Sequence, residues 1–390
     1  MNFLAERATK LTPSLTLAID AKAKKMKADG VDVCGFGAGE PDFDTPQHIK
    51  DAAIKALQDG FTKYTPSSGI PELRAAIAEK LKKENGLDYK PSQVIVNCGA
   101  KHSCYNVILA TCQEGDEVLI PAPYWLSYPE MVKLAGATPV IVPTAEANGF
   151  KITPDQFRDA MTPATKLIIL NSPGNPTGSV YSREELQALA AVALEEDILI
   201  LSDEIYEKIT YDSTEFVSIA ALGKEVNDLT ITVNGFSKAY SMTGWRLGYV
   251  AAPEPIATAI DSIQSHSTSN PTSFAQKGAL AGLKGNQSFI FEMVKAFGER
   301  REVMHQKLTS IPGITCVKPL GAFYMLPNIA SFGVDSTQFC SLLLEKQQVA
   351  CVPGIAFGSD AHIRLSYACS MQNIQKGLDR LTAFCAGLKP

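Results

Sequence analysis

Five short apolar runs in this sequence each end in residues able to do chemistry. Val94–Val96 is followed by Asn97-Cys-Gly-Ala-Lys101, and Val118–Ile120 by Pro121-Ala-Pro-Tyr-Trp125. Leu167–Leu170 is followed by Asn171-Ser-Pro-Gly-Asn-Pro-Thr-Gly178, and Ile198–Leu201 by Ser202-Asp-Glu-Ile-Tyr206. Leu229–Val233 runs into Asn234-Gly-Phe-Ser-Lys-Ala-Tyr-Ser-Met-Thr-Gly-Trp-Arg246. Together these segments supply an aromatic plate, side-chain amides, a carboxylate, a phenol, a lysine and an arginine. In open α/β sheets, ligands bind beyond the carboxyl ends of the strands, so the five segments are candidates for one site.

No GxxxxGK[ST] phosphate loop is present, and Gly35-Phe-Gly-Ala-Gly39 runs into Glu-Pro-Asp, a poor helix opening for a nicotinamide site. No HExxH or clustered His/Cys spacing offers a metal site, and the five histidines are dispersed. Pyridoxal phosphate fits each group. It needs a lysine for a Schiff base, a carboxylate that keeps its pyridine nitrogen protonated, and phosphate donors at a helix start. On local sequence each residue also has an ordinary reading. Lys238 reads as a solvated surface lysine, Asp203 as a helix N-cap, and Tyr206 and Trp125 as core aromatics. Asn175 reads as a turn residue before proline, Arg246 as half of a surface ion pair, and Arg364 as an exposed strand arginine.

Positioning these groups requires a sheet. The five runs, with Pro139–Val142, are short, nearly all apolar and separated by helical patterns at about 46–60, 70–84 and 102–112. Strands buried on both faces of a mostly parallel sheet read this way, which predicts a large α/β domain covered by helices over residues 45–290. A charged amphipathic helix at about 287–309 comes after it. Strand-like pieces are next at Cys316–Val317, Ala322–Met325, Ala350–Val352 and His362–Tyr367, then a last helix at about 371–384. They predict a smaller α+β domain made of residues 1–44 and 291–390.

Composition bounds the partners. A length of 390 residues suggests roughly two to three domains. With 36 basic and 41 acidic residues, the net charge of −5 lacks the basic footprint of nucleic-acid binding. A hydrophobic share of 45% with 20% charge argues against disorder. No apolar run approaches the roughly 18 residues of a membrane span, and the opening MNFLAERATKLTPSL does not read as a secretory leader. The nine cysteines are scattered without a CxxC pair, as expected of reduced thiols in a cytoplasmic protein.

The segment Ser237–Arg246, with Asn171–Gly178 and Ser202–Tyr206 before it, closely resembles class I, fold-type I aminotransferases, which use pyridoxal phosphate. The resemblance runs from Gly39-Glu-Pro-Asp42 to His362-Ile-Arg-Leu-Ser-Tyr367. It is nearest to the bacterial aspartate aminotransferase branch that also contains prephenate-using members. The fold implied is α/β, with a mostly parallel, seven-stranded type of sheet and a smaller α+β domain. Lys238 then carries the cofactor and moves a proton between the substrate Cα and the cofactor's C4′. Asp203 pairs with the pyridine nitrogen, Tyr206 and Asn175 donate to the 3′ oxygen, and Trp125 stacks on the ring. Ser237, Arg246 and the amides of Ala100 and Lys101 hold the phosphate. Gly235 stands where the family often has a further phosphate-binding hydroxyl.

The same resemblance implies that Tyr64 reaches the phosphate of a neighbouring subunit, hence a homodimer with shared sites. Arg364 grips the substrate α-carboxylate with the Gly39 backbone opposite, and Trp125 and Asn175 also contact substrate. Lys101 and Thr16 recognise the distal carboxylate, where animal-type enzymes use a partner-subunit arginine. The implied reaction exchanges amino groups between L-aspartate and 2-oxoglutarate, giving oxaloacetate and L-glutamate by a ping-pong route. Alternatives are an aspartate–prephenate enzyme forming arogenate, an aromatic or broad-range aminotransferase, and a carbon–sulfur β-lyase with the same cofactor. A cofactor-binding sensor ranks last, because no basic helix-turn-helix extension is present.

Overall fold

The computed structural model describes residues 3–13 and 15–388, with only the backbone at 17 and 20. Twelve strands occur among them: β1 (Cys34–Gly35), β2 (Val94–Asn97), β3 (Glu117–Ala122), β4 (Thr138–Pro143), β5 (Thr165–Asn171), β6 (Leu199–Asp203), β7 (Thr230–Gly235), β8 (Gly248–Ala251), β9 (Tyr324–Met325), β10 (Val349–Ala350), β11 (Val352–Pro353) and β12 (Ile363–Ser366). Seven of them form one sheet in the order β2-β8-β7-β6-β5-β3-β4. Only β8 runs against the others. The fold is therefore α/β with a mostly parallel seven-stranded sheet.

Alternation along each strand explains the apolar runs. In β5, Leu167 and Ile169 face a layer formed by the helices Ala100–Thr111, Ser127–Leu134 and Glu254–Ser267. Ile168 and Leu170 face the opposite layer, formed by Pro154–Ala160 and Arg183–Glu195. With both faces covered, polar side chains on the central strands are costly, and the runs are nearly all apolar. The helices start on their own signals. Ser182 Oγ accepts from the Glu185 amide at 3.3 Å while Glu185 Oε2 accepts from the Ser182 amide at 2.8 Å, a reciprocal cap ahead of the Leu186–Leu189 core face.

The remaining strands combine the two ends of the chain. β1 pairs with β10 in parallel, and β11, β12 and β9 form an antiparallel sheet. Their core joins Cys34 and Phe36 to Met293, Phe297, Phe339, Leu343 and Leu381. Three expectations are corrected in this region. Cys316–Val317 is not a strand: Thr315 makes a single bridge to Asn328, and Pro319 soon removes a donor. Ala322 has a left-handed φ of 55°, so the run at Ala322–Met325 shrinks to β9. Cys351 divides Ala350–Val352 between two sheets. β8 was not anticipated, since its four residues open on a glycine directly behind the Ser237–Arg246 segment.

Phe297, on the helix Ser288–Thr309, is fully buried and ties three segments together. Its ring centroid lies 5.6 Å from Phe43, 5.4 Å from Phe323 and 6.4 Å from Tyr367. Phe297→Ala should lower stability by about 3–5 kcal/mol in urea unfolding, the usual cost of emptying an aromatic core position.

Candidate active site

The carboxyl ends of β2, β3, β5, β6 and β7 open into a cavity of about 490 Å³, closed by Gly37–Glu40, Tyr324 and Arg364. Lys238, Asp203, Tyr206, Asn175, Trp125 and Arg364 all line it, as do Ala100, Lys101, Ser237, Arg246, Gly39 and Thr16. Tyr64 does not; it is 89% exposed, away from this cavity. Among the described residues no His, Cys, Asp or Glu cluster could hold a metal ion.

Asp203 ends β6, the middle strand of the large sheet, and is 3% exposed. Its Oδ2 accepts from Tyr128 Oη at 2.7 Å and from Cys104 Sγ at 3.8 Å, and its Oδ1 accepts from the Ile205 amide at 3.2 Å. Burial raises its pKa, while the donors and the charge of Lys238 pull the other way. The N-cap reading of Asp203 is thus replaced by a buried carboxylate at a strand end. Next to it, Asn171 donates to the Asp203 carbonyl at 2.9 Å and accepts from the Asn175 amide at 2.8 Å, fixing the turn that carries Asn175.

Lys238 follows β7 and reaches back to donate to the Gly39 carbonyl. Its ammonium lies 5.7 Å from the Tyr206 ring and 5.8 Å from the Phe323 ring. Burial pushes its pKa down to about 8; Arg364 and Arg246 act in the same direction, and Glu40 and Asp203 oppose them. An amine in this range is part neutral near pH 7–8, which suits both nucleophilic attack and proton transfer. Glu40 is itself held by Thr243 Oγ1 at 2.7 Å.

Arg364 alternates with apolar residues in β12, but the strand is buried on both faces, so the exposed-arginine reading fails. Nη1 donates to Asn175 Oδ1 at 3.0 Å and Nη2 to the Gly37 carbonyl at 2.9 Å. The guanidinium lies 4.5 Å over the Tyr324 ring and 4.9 Å over Phe357. Its Nε is buried without a partner among the described residues, an orphan donor that an anion would satisfy. Tyr206 and Tyr324 share a hydrogen bond of 2.8 Å between their hydroxyls.

At the other end of the cavity, the helix Ala100–Thr111 opens beside Ser237 and Arg246. Arg246 donates to the Thr243 carbonyl at 2.7 Å, and its guanidinium lies against Gly99. Gly248 makes this junction possible, because a Cβ there would stand 2.3 Å from the Ala100 nitrogen. Gly235 pairs with it across β7 and β8, and a Cβ at 235 would stand 2.8 Å from the Gly248 Cα. The missing hydroxyl at 235 therefore has no room. Helix amides, a hydroxyl and a guanidinium converge as an anion site. Lys101 stands 5.0 Å over the Trp125 ring, and burial followed by the charge of Arg246 lowers its pKa. Thr16 Oγ1, in the same cavity, is buried without a partner among the described residues.

Tyr128, Cys104, Tyr324 and Asn171 escaped sequence reasoning. Tyr128 and Cys104 lie about one turn beyond Trp125 and Ala100, a spacing that could have flagged them. Tyr324 gave no signal, since only the tertiary fold brings it to Tyr206.

Comparison with known proteins gives consistent results. The family model for aminotransferase class I and II matches residues 31–381. An aspartate aminotransferase of Geobacillus stearothermophilus is 53% identical over 98% of both chains. A probable aspartate/prephenate aminotransferase of Aquifex aeolicus is 51% identical over 97% of both. The solved aspartate aminotransferase from Thermus thermophilus with maleate superimposes with a TM-score of 0.95 at 43% identity, covering 98% of this chain and all of that one.

Because the pKa of Lys238 is lowered to about 8, the reactivity of its amine in the cofactor-free protein should follow that pKa. Labelling by an amine reagent such as trinitrobenzenesulfonate should rise with a midpoint near pH 8, not near the roughly 10.4 of an ordinary lysine. Peptide mapping across the pH series checks this.

Proposed function

The chain belongs to the class I and II aminotransferases, and from that premise we propose that it transfers the amino group of L-aspartate to 2-oxoglutarate, giving oxaloacetate and L-glutamate. Aminotransferases of the aspartate type use pyridoxal phosphate, and the residues here fit it: a buried carboxylate, a buried amine and an anion site at a helix start share one cavity. The observation that carries the substrate reading is that, besides Lys238 and the Arg246 of the anion site, the cavity is lined by Arg364, Lys101 and Lys24. A substrate with two carboxylates suits a cavity with cations beyond those the cofactor uses.

When bound, the cofactor supplies a sink for the electrons left on the substrate Cα. With that group held there, the neutral amine of Lys238 would move the proton between the substrate Cα and the cofactor's C4′. Asp203 would hold a proton on the ring nitrogen, which keeps the sink deep, and Trp125 would stack on the ring. Tyr206 and Asn175 would donate to the 3′ oxygen. Ser237, Arg246 and the amides of Ala100 and Lys101 hold the phosphate with charge-assisted bonds. The planar fork of Arg364 binds the α-carboxylate, with the Gly39 backbone opposite and Asn175 as a shared neighbour. Lys101 and Thr16 take the distal carboxylate.

The wider reading is a homodimer with shared sites, supported by a Tyr64 side chain that has no part in its own cavity. Residues 45–290 form the cofactor domain, and 1–44 with 291–390 the smaller one, a division supported by the pairing of β1 with β10, with the helix Ser288–Thr309 running across the boundary. Among the described residues no helix is long and apolar enough to cross a membrane, and the nine cysteines are unpaired, which supports a reducing, cytoplasmic setting. An enzyme that also accepts prephenate is the second reading, favoured by relatives of similar identity that carry that name.

Aspartate added without an acceptor should release one oxaloacetate per cofactor and no ammonia; an eliminating enzyme would release ammonia and turn over repeatedly. Lys101→Ala should lower kcat/KM for aspartate roughly 10- to 100-fold, the scale of one charge-assisted contact, and spare monocarboxylic substrates. Equal losses for both classes, in a panel of donors and acceptors that includes prephenate, would refute this assignment.

A further inference from the structure

Asp203 lies deep in the cavity, where a carboxylate stays ionised only with help. The Ile205 amide comes with the turn after β6. The other two donors, Tyr128 and Cys104, are delivered by separate helices onto one oxygen, Oδ2. Neither has a part of its own in the amino transfer. Tyr128 stands edge-on to Trp125, with centroids 5.2 Å apart and planes at 86°, so its hydroxyl is held toward Asp203 while its ring wedges the stacking tryptophan. The other titratable groups acting on Asp203 are Lys238, whose charge favours the carboxylate, and the phenol of Tyr206 nearby. Burial raises the pKa of Tyr128 and of Cys104 well above their usual values, so both remain protonated and keep a hydrogen to donate to the carboxylate.

We propose that Tyr128, seconded by Cys104, decides which of two atoms holds the proton shared between Asp203 and the ring nitrogen of the bound cofactor. The inference rests on the pairing of Asp203 with that nitrogen. Two arrangements compete: a carboxylate beside a protonated ring, or a carboxylic acid beside a neutral one. Burial favours the neutral pair, because two desolvated charges cost more than two neutral groups. A phenol donating to Oδ2 stabilises the charged pair more than the neutral one, because a bond to a carboxylate is stronger than one to a neutral acid, and the thiol adds a weaker donor. Without them the proton moves to Asp203, the ring draws electrons less strongly, and the Cα proton leaves more slowly. Tyr128 is thus a positioning residue that acts through Asp203.

The test uses holoenzyme reconstituted with cofactor labelled with ¹⁵N in the ring, whose resonance reports protonation directly. Tyr128→Phe keeps the aromatic wedge and removes only the donor. At neutral pH its resonance should move from the protonated toward the neutral position, with kcat falling roughly 10- to 100-fold and KM little changed. Cys104→Ala should move it the same way but less. An unshifted resonance in Tyr128→Phe, whether or not kcat falls, would overturn the proposal, since a purely structural role moves activity without moving the proton. Should Tyr128→Phe fail to fold, Cys104→Ala decides: a resonance moved toward the neutral position supports the proposal and an unmoved one refutes it. Asp203→Asn serves as reference. If its resonance matches the wild type, the pairing itself is wrong, which separates that failure from failure of the role given to Tyr128.

Discussion

Asp203 stands at the carboxyl end of the middle strand, with paired strands on both sides and helices above and below, where water cannot compensate its charge. Everything around it depends on that burial. The turn after β6 aims an amide at one oxygen, and two helices bring a phenol and a thiol to the other. The β5 neighbour, Asn171, binds the Asp203 backbone and then orders the turn that presents Asn175. Asn175 in turn holds Arg364 from a strand almost two hundred residues away. The residue that carries the buried carboxylate is thereby linked, through its backbone carbonyl and two asparagines, to the arginine on the far side of the cavity.

The same low dielectric that makes Asp203 costly makes Lys238 and Arg364 useful. Lys238 loses part of its charge on burial. Arg364 cannot, because a guanidinium stays protonated, so it is stabilised by two acceptors and two aromatic faces, while its Nε has no partner among the described residues. Two cations in one cavity thus meet opposite fates for a physical reason: one side chain can shed its proton and the other cannot. Orphan donors and displaced pKa values are a stability cost that a folded chain retains where ligands are to be bound.

Much of this was legible in the sequence, and the limits have physical causes. The apolar runs at Val118–Ile120, Leu167–Leu170 and Ile198–Leu201 announce strands because both faces are buried, and the loops at their carboxyl ends carry Trp125, Asn175, Asp203 and Tyr206. Lys238 and Arg246 are legible only through the segment they share. Burial of Arg364 was not legible from local pattern, since alternation with Ile363 and Leu365 looks the same on an exposed strand. β8 and the truncated β9 were obscured by backbone geometry: a four-residue strand opening on Gly248, and a left-handed Ala322. Tyr324 is invisible because nothing local distinguishes a core tyrosine from one whose hydroxyl meets Tyr206 across the molecule.

The pairing of β1 with β10 has a temporal side. Ribosomal synthesis delivers Cys34 and Gly35 more than three hundred residues before Val349 and Ala350, their strand partners. All seven strands of the large sheet, and Lys238 with them, emerge in between. A nascent chain can therefore complete its cofactor-facing sheet while its first strand still waits, and Arg364 is among the last parts of the site to arrive. Any chain released early would carry the reactive lysine without the arginine that anchors its substrate.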